Sequence, residues 1–134
     1  MHLKDKTVLV TGGGRGLGRA YCEALSKAGA SVVVADIRKT QDTVETIISR
    51  GGKAIGLSLD VTDMLSCQNM ADRAIKEYGN IHCLVNNAAL YGDISGGRFD
   101  QLRDDQWDNV MAVNVKGIWP VSYTHLTLPT TPYV

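Results

Sequence analysis

The residues best suited to chemistry in this chain are polar groups that each close an apolar run. Thr11 follows Thr7-Val8-Leu9-Val10 and opens Gly12-Gly13-Gly14-Arg15-Gly16-Leu17-Gly18, and Asp36 closes Ser31-Val32-Val33-Val34-Ala35. Asp60 follows Lys53-Ala54-Ile55-Gly56-Leu57-Ser58-Leu59, and Asn86-Asn87 follows Ile81-His82-Cys83-Leu84-Val85. A glycine-rich turn between a buried strand and a helix lets the backbone come close to a pyrophosphate, and the helix start offers unpaired N–H groups and a positive dipole end. The stretch Thr11 to Gly18 therefore reads as a dinucleotide cradle. Asp36 lies eighteen positions beyond Gly18, near the offset of about 20 residues at which an acid meets the adenosine ribose 2′-OH. A carboxylate there would repel the 2′-phosphate of NADP, so Asp36 favours NAD. Arg15 and Arg38 are the cations suited to pairing with such a phosphate. Taken singly, Asp36 reads as a turn former, Asp60 as a helix cap and Asn87 as a residue tolerant of unusual backbone angles. Their joint occurrence at four strand ends is what points to a ligand crevice.

The elements that must position these groups alternate. The segment from Arg19 to Ala28 has amphipathic helical spacing and ends at Gly29-Ala30. A second helix is predicted from Thr40 to Arg50, with Val44, Ile47 and Ile48 on one face, Thr40 or Asp42 as cap and Gly51-Gly52 as stop. A third runs from about Met64 to Tyr78, capped by Thr62 or Asp63 and ended by Gly79-Asn80. A fourth is predicted from Asp104 or Asp105 to about Trp119, after a glycine-bearing loop from Tyr91 to Arg98. That loop reads equally as a substrate contact or as a solvated connection. Strands alternating with helices mean right-handed βαβ units and a parallel sheet covered on both faces. The fold class is α/β, doubly wound, and its ligand crevice lies outside the carboxyl ends of the strands.

The 134 residues suit one domain. Fourteen Lys plus Arg balance fourteen Asp plus Glu, so no basic field exists for nucleic acid or an anionic membrane. The polar start, Met1 to Lys6, runs directly into the first strand, and no apolar run approaches the ~20 residues of a membrane span. A cytoplasmic protein is expected. Cys22, Cys67 and Cys83 lack metal-ligand spacing and sit in apolar settings, so all three are predicted to be buried free thiols.

The pattern Thr-Gly-x-x-x-Gly-x-Gly at Thr11 to Gly18, Asp60-Val61, Asn86-Asn87-Ala88-Ala89 and Val113-Asn114-Val115 resembles the short-chain dehydrogenase/reductase family over about Leu3 to Trp119. The resemblance implies a Rossmann fold with strand order 3-2-1-4 and onward. It implies that Gly12, Arg15, Gly16, Leu17 and Gly18 surround the pyrophosphate and ribose, and that Asp36 and Ile37 meet the adenosine ribose. Asp60 and Val61 would meet the adenine, and Asn87, Ala88 and Ala89 the nicotinamide-side ribose. Ala89 departs from the glycine usual in the family, a change expected to shift local packing. Asn114 resembles the family's catalytic asparagine, whose main chain at a helix distortion holds a water in a proton relay. The implied reaction moves hydride between NAD and a small-molecule alcohol or ketone. In it a Tyr serves as general acid/base, its pKa lowered by a Lys, while a Ser orients the substrate. The full-length parent would be a homo-oligomer.

That Tyr-x-x-x-Lys pair is absent: Tyr21, Tyr78, Tyr91 and Tyr123 are followed four places on by Leu25, His82, Ser95 and Thr127, and the last lysine is Lys116. All three prolines lie in the final fifteen residues, Pro120 to Val134, which carry no charged Lys, Arg, Asp or Glu. Proline and threonine disfavour helix, and this tail resembles those on unrelated translations in which sequencing-adapter bases were read as coding. Residues 1–119 are thus expected to form an incomplete Rossmann domain, truncated after the fourth strand and part of the fourth helix. Residues 120–134 are expected to be an artefactual or disordered tail, and Ile81 to Val85 an exposed edge. The leading reading is an NAD-dependent oxidoreductase represented by an inactive N-terminal fragment. The alternatives are an NADPH-dependent ketoreductase of the 3-oxoacyl-carrier-protein type and a non-catalytic dinucleotide-binding module.

Overall fold

The computed structural model describes residues 2–91 and 96–127. Four parallel strands, β1 (Thr7–Thr11), β2 (Ser31–Asp36), β3 (Lys53–Ser58) and β4 (Cys83–Val85), form one sheet in the order β3-β2-β1-β4. Helices α1 (Gly16–Lys27), α2 (Gln41–Ser49), α3 (Met64–Tyr78), α4 (Asp104–Met111) and α5 (Ile118–Thr127) connect and follow them. This is the doubly wound Rossmann arrangement.

Side chains alternate across a strand, and the core divides accordingly. Val8, Val10, Val32 and Val34 pack with Cys22 of α1 and Ile47 of α2 on one face. Leu9, Val33 and Leu57 pack with Cys67, Met70 and Ala74 of α3 and Val121 of α5 on the other. All five residues of β1 are buried, as suits a central parallel strand covered on both faces. β1 pairs with β2 from Thr7↔Ser31 to Thr11↔Ala35 and with β4 from Val8↔Cys83 to Val10↔Val85. The strand order reverses between β1 and β4, so their carboxyl ends open a crevice there.

Helix boundaries follow local chemistry. The Asp63 carboxylate accepts from the Leu65 N–H, capping α3, and Gly79 ends it with a left-handed φ of 79°. Thr40 stands at the N-cap of α2 but makes no side-chain capping bond. α1 begins at Gly16, inside the glycine run, rather than at Arg19.

Four expectations are corrected. β4 is shorter than Ile81 to Val85, because the Thr7 N–H donates to His82 Nδ1 instead of to a strand carbonyl. Cys83 is exposed, while Cys22 and Cys67 are buried. The fourth helix is not continuous: α4 passes into a π-helical segment, Ala112–Lys116, before α5 begins. Gly117 stands as a turn between the π segment and α5, and Pro120, which has no N–H to carry the preceding ladder on, follows within the first turn of α5. Helix does not stop at Trp119 either, since α5 continues to Thr127. Pro120 is its third residue, in the first turn where a missing N–H is tolerated, and Val121 and Thr124 are buried. The Thr124 hydroxyl lies 2.9–3.0 Å from the Val121 and Pro120 carbonyl oxygens. Packing against α3 outweighs the weak intrinsic propensity of this sequence. The rest of the tail, from residue 128, and positions 92–95 of the loop lie outside the described residues.

Candidate functional site

Each strand-end group is held by bonds that depend on its neighbours in the sheet. The Thr11 hydroxyl accepts from the Asn87 and Ala88 N–H groups, both at 3.0 Å. It also stands 3.4 Å from the Val85 carbonyl oxygen. Asn87 Nδ2 returns the link by donating to the Thr11 and Gly12 carbonyls at 3.2 Å. These bonds close the ends of β1 and β4 together. Close approach also explains two of the glycines: a Cβ on Gly12, whose φ is +69°, would stand 2.9 Å from Ala88 Cα, and one on Gly18 would run into the Gly12 carbonyl.

Asp36 ends β2 and is 8% exposed. Its Oδ2 accepts from the Gly14 N–H and its Oδ1 from the Arg38 N–H, both at 2.9 Å. The carboxylate is thereby fixed against the glycine loop, with lone pairs remaining on each oxygen. Asp60 Oδ1 accepts from the Thr62 N–H and hydroxyl, while its own N–H donates to Ser66 Oγ. Asp60 thus closes a turn onto Thr62 at the crevice rather than capping α3, whose N-cap is Asp63.

Asn114 lies in the π segment. Its Oδ1 accepts from the Leu90 N–H at 2.6 Å and its Nδ2 donates to the Leu90 carbonyl at 3.1 Å. The side chain pins the chain leaving β4 to the helix distortion. π-bulges of this kind recur at functional sites.

One crevice of about 440 Å³ gathers every cofactor-side residue named from the sequence. Gly12, Arg15, Gly16, Leu17 and Gly18 form one wall, Asp36 and Ile37 the β2 end, Asp60 and Val61 the β3 end, and Asn87, Ala88 and Ala89 the β4 end. Asn114 does not line it, but its partner Leu90 does, as does Val113. Sequence reasoning did not single out Leu59 or Leu90, and it named Val113 only within the Val113-Asn114-Val115 motif and not as a crevice residue. It also passed over Thr43, which meets the loop from behind. Leu17 and Ile37 are 69% and 68% exposed at the rim, large apolar side chains without a covering partner in the described structure. The crevice thus combines N–H donors at a helix start, carboxylate acceptors and apolar walls, a chemistry that suits a dinucleotide. A larger groove of about 670 Å³ lies around Glu23, Lys27 and Arg50 between α1 and α2 and contains none of the strand-end groups.

The comparisons with known proteins agree with this geometry. The family model described as short chain dehydrogenase matches residues 6–130, and the chain belongs to that family. The chain is 40% identical over 122 residues to the peroxisomal hydratase-dehydrogenase-epimerase of Neurospora crassa, covering 91% of this chain and 13% of that protein. It is 36% identical over 133 residues to versicolorin reductase 1 of Dothistroma septosporum, covering 95% of this chain and 49% of the relative. Among solved structures, a short chain dehydrogenase/reductase from Burkholderia phymatum in complex with NAD superimposes with a TM-score of 0.85. That structure is 31% identical, with 92% of this chain and 44% of that one covered. A short chain dehydrogenase from Burkholderia cenocepacia in complex with NADP gives a TM-score of 0.83 at 31% identity, covering 94% of this chain and 51% of that one. The chain therefore spans about half the length of most of these relatives and a smaller part of the first.

Proposed function

We propose that this chain is the dinucleotide-binding part of an NAD-dependent oxidoreductase that moves hydride between the nicotinamide and a small-molecule alcohol or carbonyl carbon. Asp36 carries the choice of NAD. Its carboxylate is held by two backbone amides at the β2 end of the crevice, where it can accept from a ribose 2′-OH and would repel a 2′-phosphate. The nicotinamide, when bound, supplies the hydride chemistry; the residues of the chain hold and orient it. The first amides of α1, at Gly16, Leu17 and Gly18, lack intrahelical acceptors and face the pyrophosphate role. Leu17, Ile37 and Val61 supply apolar cover, with Arg15 and Asp60 at the edges, and Asn87, Ala88 and Ala89 hold the nicotinamide end. Asn114 positions Leu90 and keeps the π distortion in place.

The chain contains no Tyr followed four places on by Lys. We place the general acid/base and the substrate-orienting Ser in the half of the relatives' length that this chain does not span. On that reading the chain binds NAD and, supplied with alcohols or ketones, does not turn it over.

Equilibrium titration with NAD and NADP tests the assignment. NAD should bind more than tenfold tighter, and Asp36→Ala should bring the two affinities within about threefold, a loss of roughly 1 kcal/mol of discrimination. Equal affinities in the unaltered chain, or tighter NADP, would instead favour the ketoreductase reading, with Arg15 and Arg38 as phosphate partners.

A further inference from the structure

The carbonyl oxygens of four consecutive residues in the glycine loop are bonded by only two side chains. Asn87 takes those of Thr11 and Gly12 from the β4 side. The Thr43 hydroxyl takes those of Gly13 at 3.0 Å and Gly14 at 3.3 Å from the α2 side, sharing its single proton between them. Thr43 is completely buried and lies in the first turn of α2, outside the crevice lining.

A peptide carbonyl turned toward the crevice would set its partial negative charge against the phosphate oxygens of a bound dinucleotide. Successive backbone N–H groups pointing the same way, with carbonyls turned aside, make an anion-binding concavity. The Gly13 carbonyl shares its peptide with the Gly14 N–H, which donates to Asp36, and the Gly12 carbonyl, tied by Asn87, shares its peptide with the Gly13 N–H, which donates to the Ala35 carbonyl, so each of these two peptides is held at both ends. We propose that Thr43 is a positioning residue for the dinucleotide: its hydroxyl holds the Gly13 and Gly14 carbonyls away from the pyrophosphate, completing from α2 what Asn87 does from β4. This rests on the dinucleotide reading of the crevice and assigns to α2 a part in phosphate binding that its distance from the lining conceals.

A packing role alone would be met by valine, which has the same shape without the hydroxyl. The test compares the full chain with Thr43→Val and Thr43→Ser, using ADP-ribose, which bears the pyrophosphate, and adenosine, which does not. Thr43→Val should raise the ADP-ribose dissociation constant about tenfold while leaving that of adenosine within about twofold, and Thr43→Ser should restore ADP-ribose binding to within about threefold. An unchanged ADP-ribose affinity, or equal losses for both ligands, overturns the proposal. If Thr43→Val does not fold, Thr43→Ala, which leaves room for a water, is measured in its place. If neither folds, the hydroxyl serves stability and the positioning role falls. Failure of the unaltered chain to bind either ligand would defeat the dinucleotide reading itself, an outcome read without any variant.

Discussion

Asn114 and the cysteines show how far single side chains are determined by their surroundings. Each end of the Asn114 amide makes one bond to the Leu90 backbone, which fixes the orientation of the side chain. Asn114→Ala leaves a part-buried N–H and C=O without partners and should cost about 1–3 kcal/mol in a denaturant titration. Burial pushes the Cys22 thiol up to about 12 from its ordinary 9.0, and the Cys67 thiol up to about 11. Because these values are raised, the stability they contribute is complete below pH ~9 and is lost as pH rises through the folded-state values. Unfolding free energy should therefore fall between about pH 9 and 12, and Cys22→Ala should flatten part of that slope. At pH 8 a thiol reagent should titrate one cysteine, exposed Cys83, in the native chain, and three after denaturation. Thr43 marks the limit of reading residues from sequence. A threonine near a helix start suggests a cap, and only the packing of α2 behind the glycine loop gives its hydroxyl two carbonyls to serve.

At the scale of elements, legibility tracks how much of the determining chemistry is local. β2 and α3 match their predicted bounds because a β-branched run ends on Asp36 and because Asp63 and Gly79 bracket one amphipathic face. β4 and the last helix diverge because distant partners decide them: His82 takes the Thr7 amide, and α3 accepts Val121. The burial of Val121 gives the helix a measurable dependence on the residues after Trp119. Val121→Ala should destabilise the chain by about 2 kcal/mol, and Val121→Asp by more, in thermal or denaturant melts. No change on either substitution would mean that α5 does not pack where the structure puts it. Glu23 links α1 to the end of α2 through Arg19 and Arg50 at 2.9 and 2.7 Å, and these side chains hold its carboxyl below the usual carboxylate range. That link is present above the ordinary glutamate pKa and is lost as pH falls through the lowered one; salt weakens it.

For the whole molecule, the strand order places β4 at an edge, where among the described residues it pairs with β1 alone. Cys83 is exposed there, and Trp107, Val115 and Trp119 are each more than half exposed on the helical run that follows. An open strand edge beside exposed apolar side chains is a template for association. The chain should self-associate at micromolar concentration in sedimentation experiments, and Cys83→Lys, which charges the edge, should reduce that tendency. The crevice at the carboxyl ends of the strands does not require a closed edge, because β1 and β2, which carry the glycine loop and Asp36, are covered on both faces. The location of bound NAD tests this most directly, read as amide chemical-shift changes during a titration. Saturable shifts should cluster at Gly12 to Gly18, Asp36 and Ile37, Asp60 and Val61, and Asn87 to Leu90. Shifts centred on Glu23 and Arg50 in the groove between α1 and α2, or none that saturate, would contradict the assignment of the crevice.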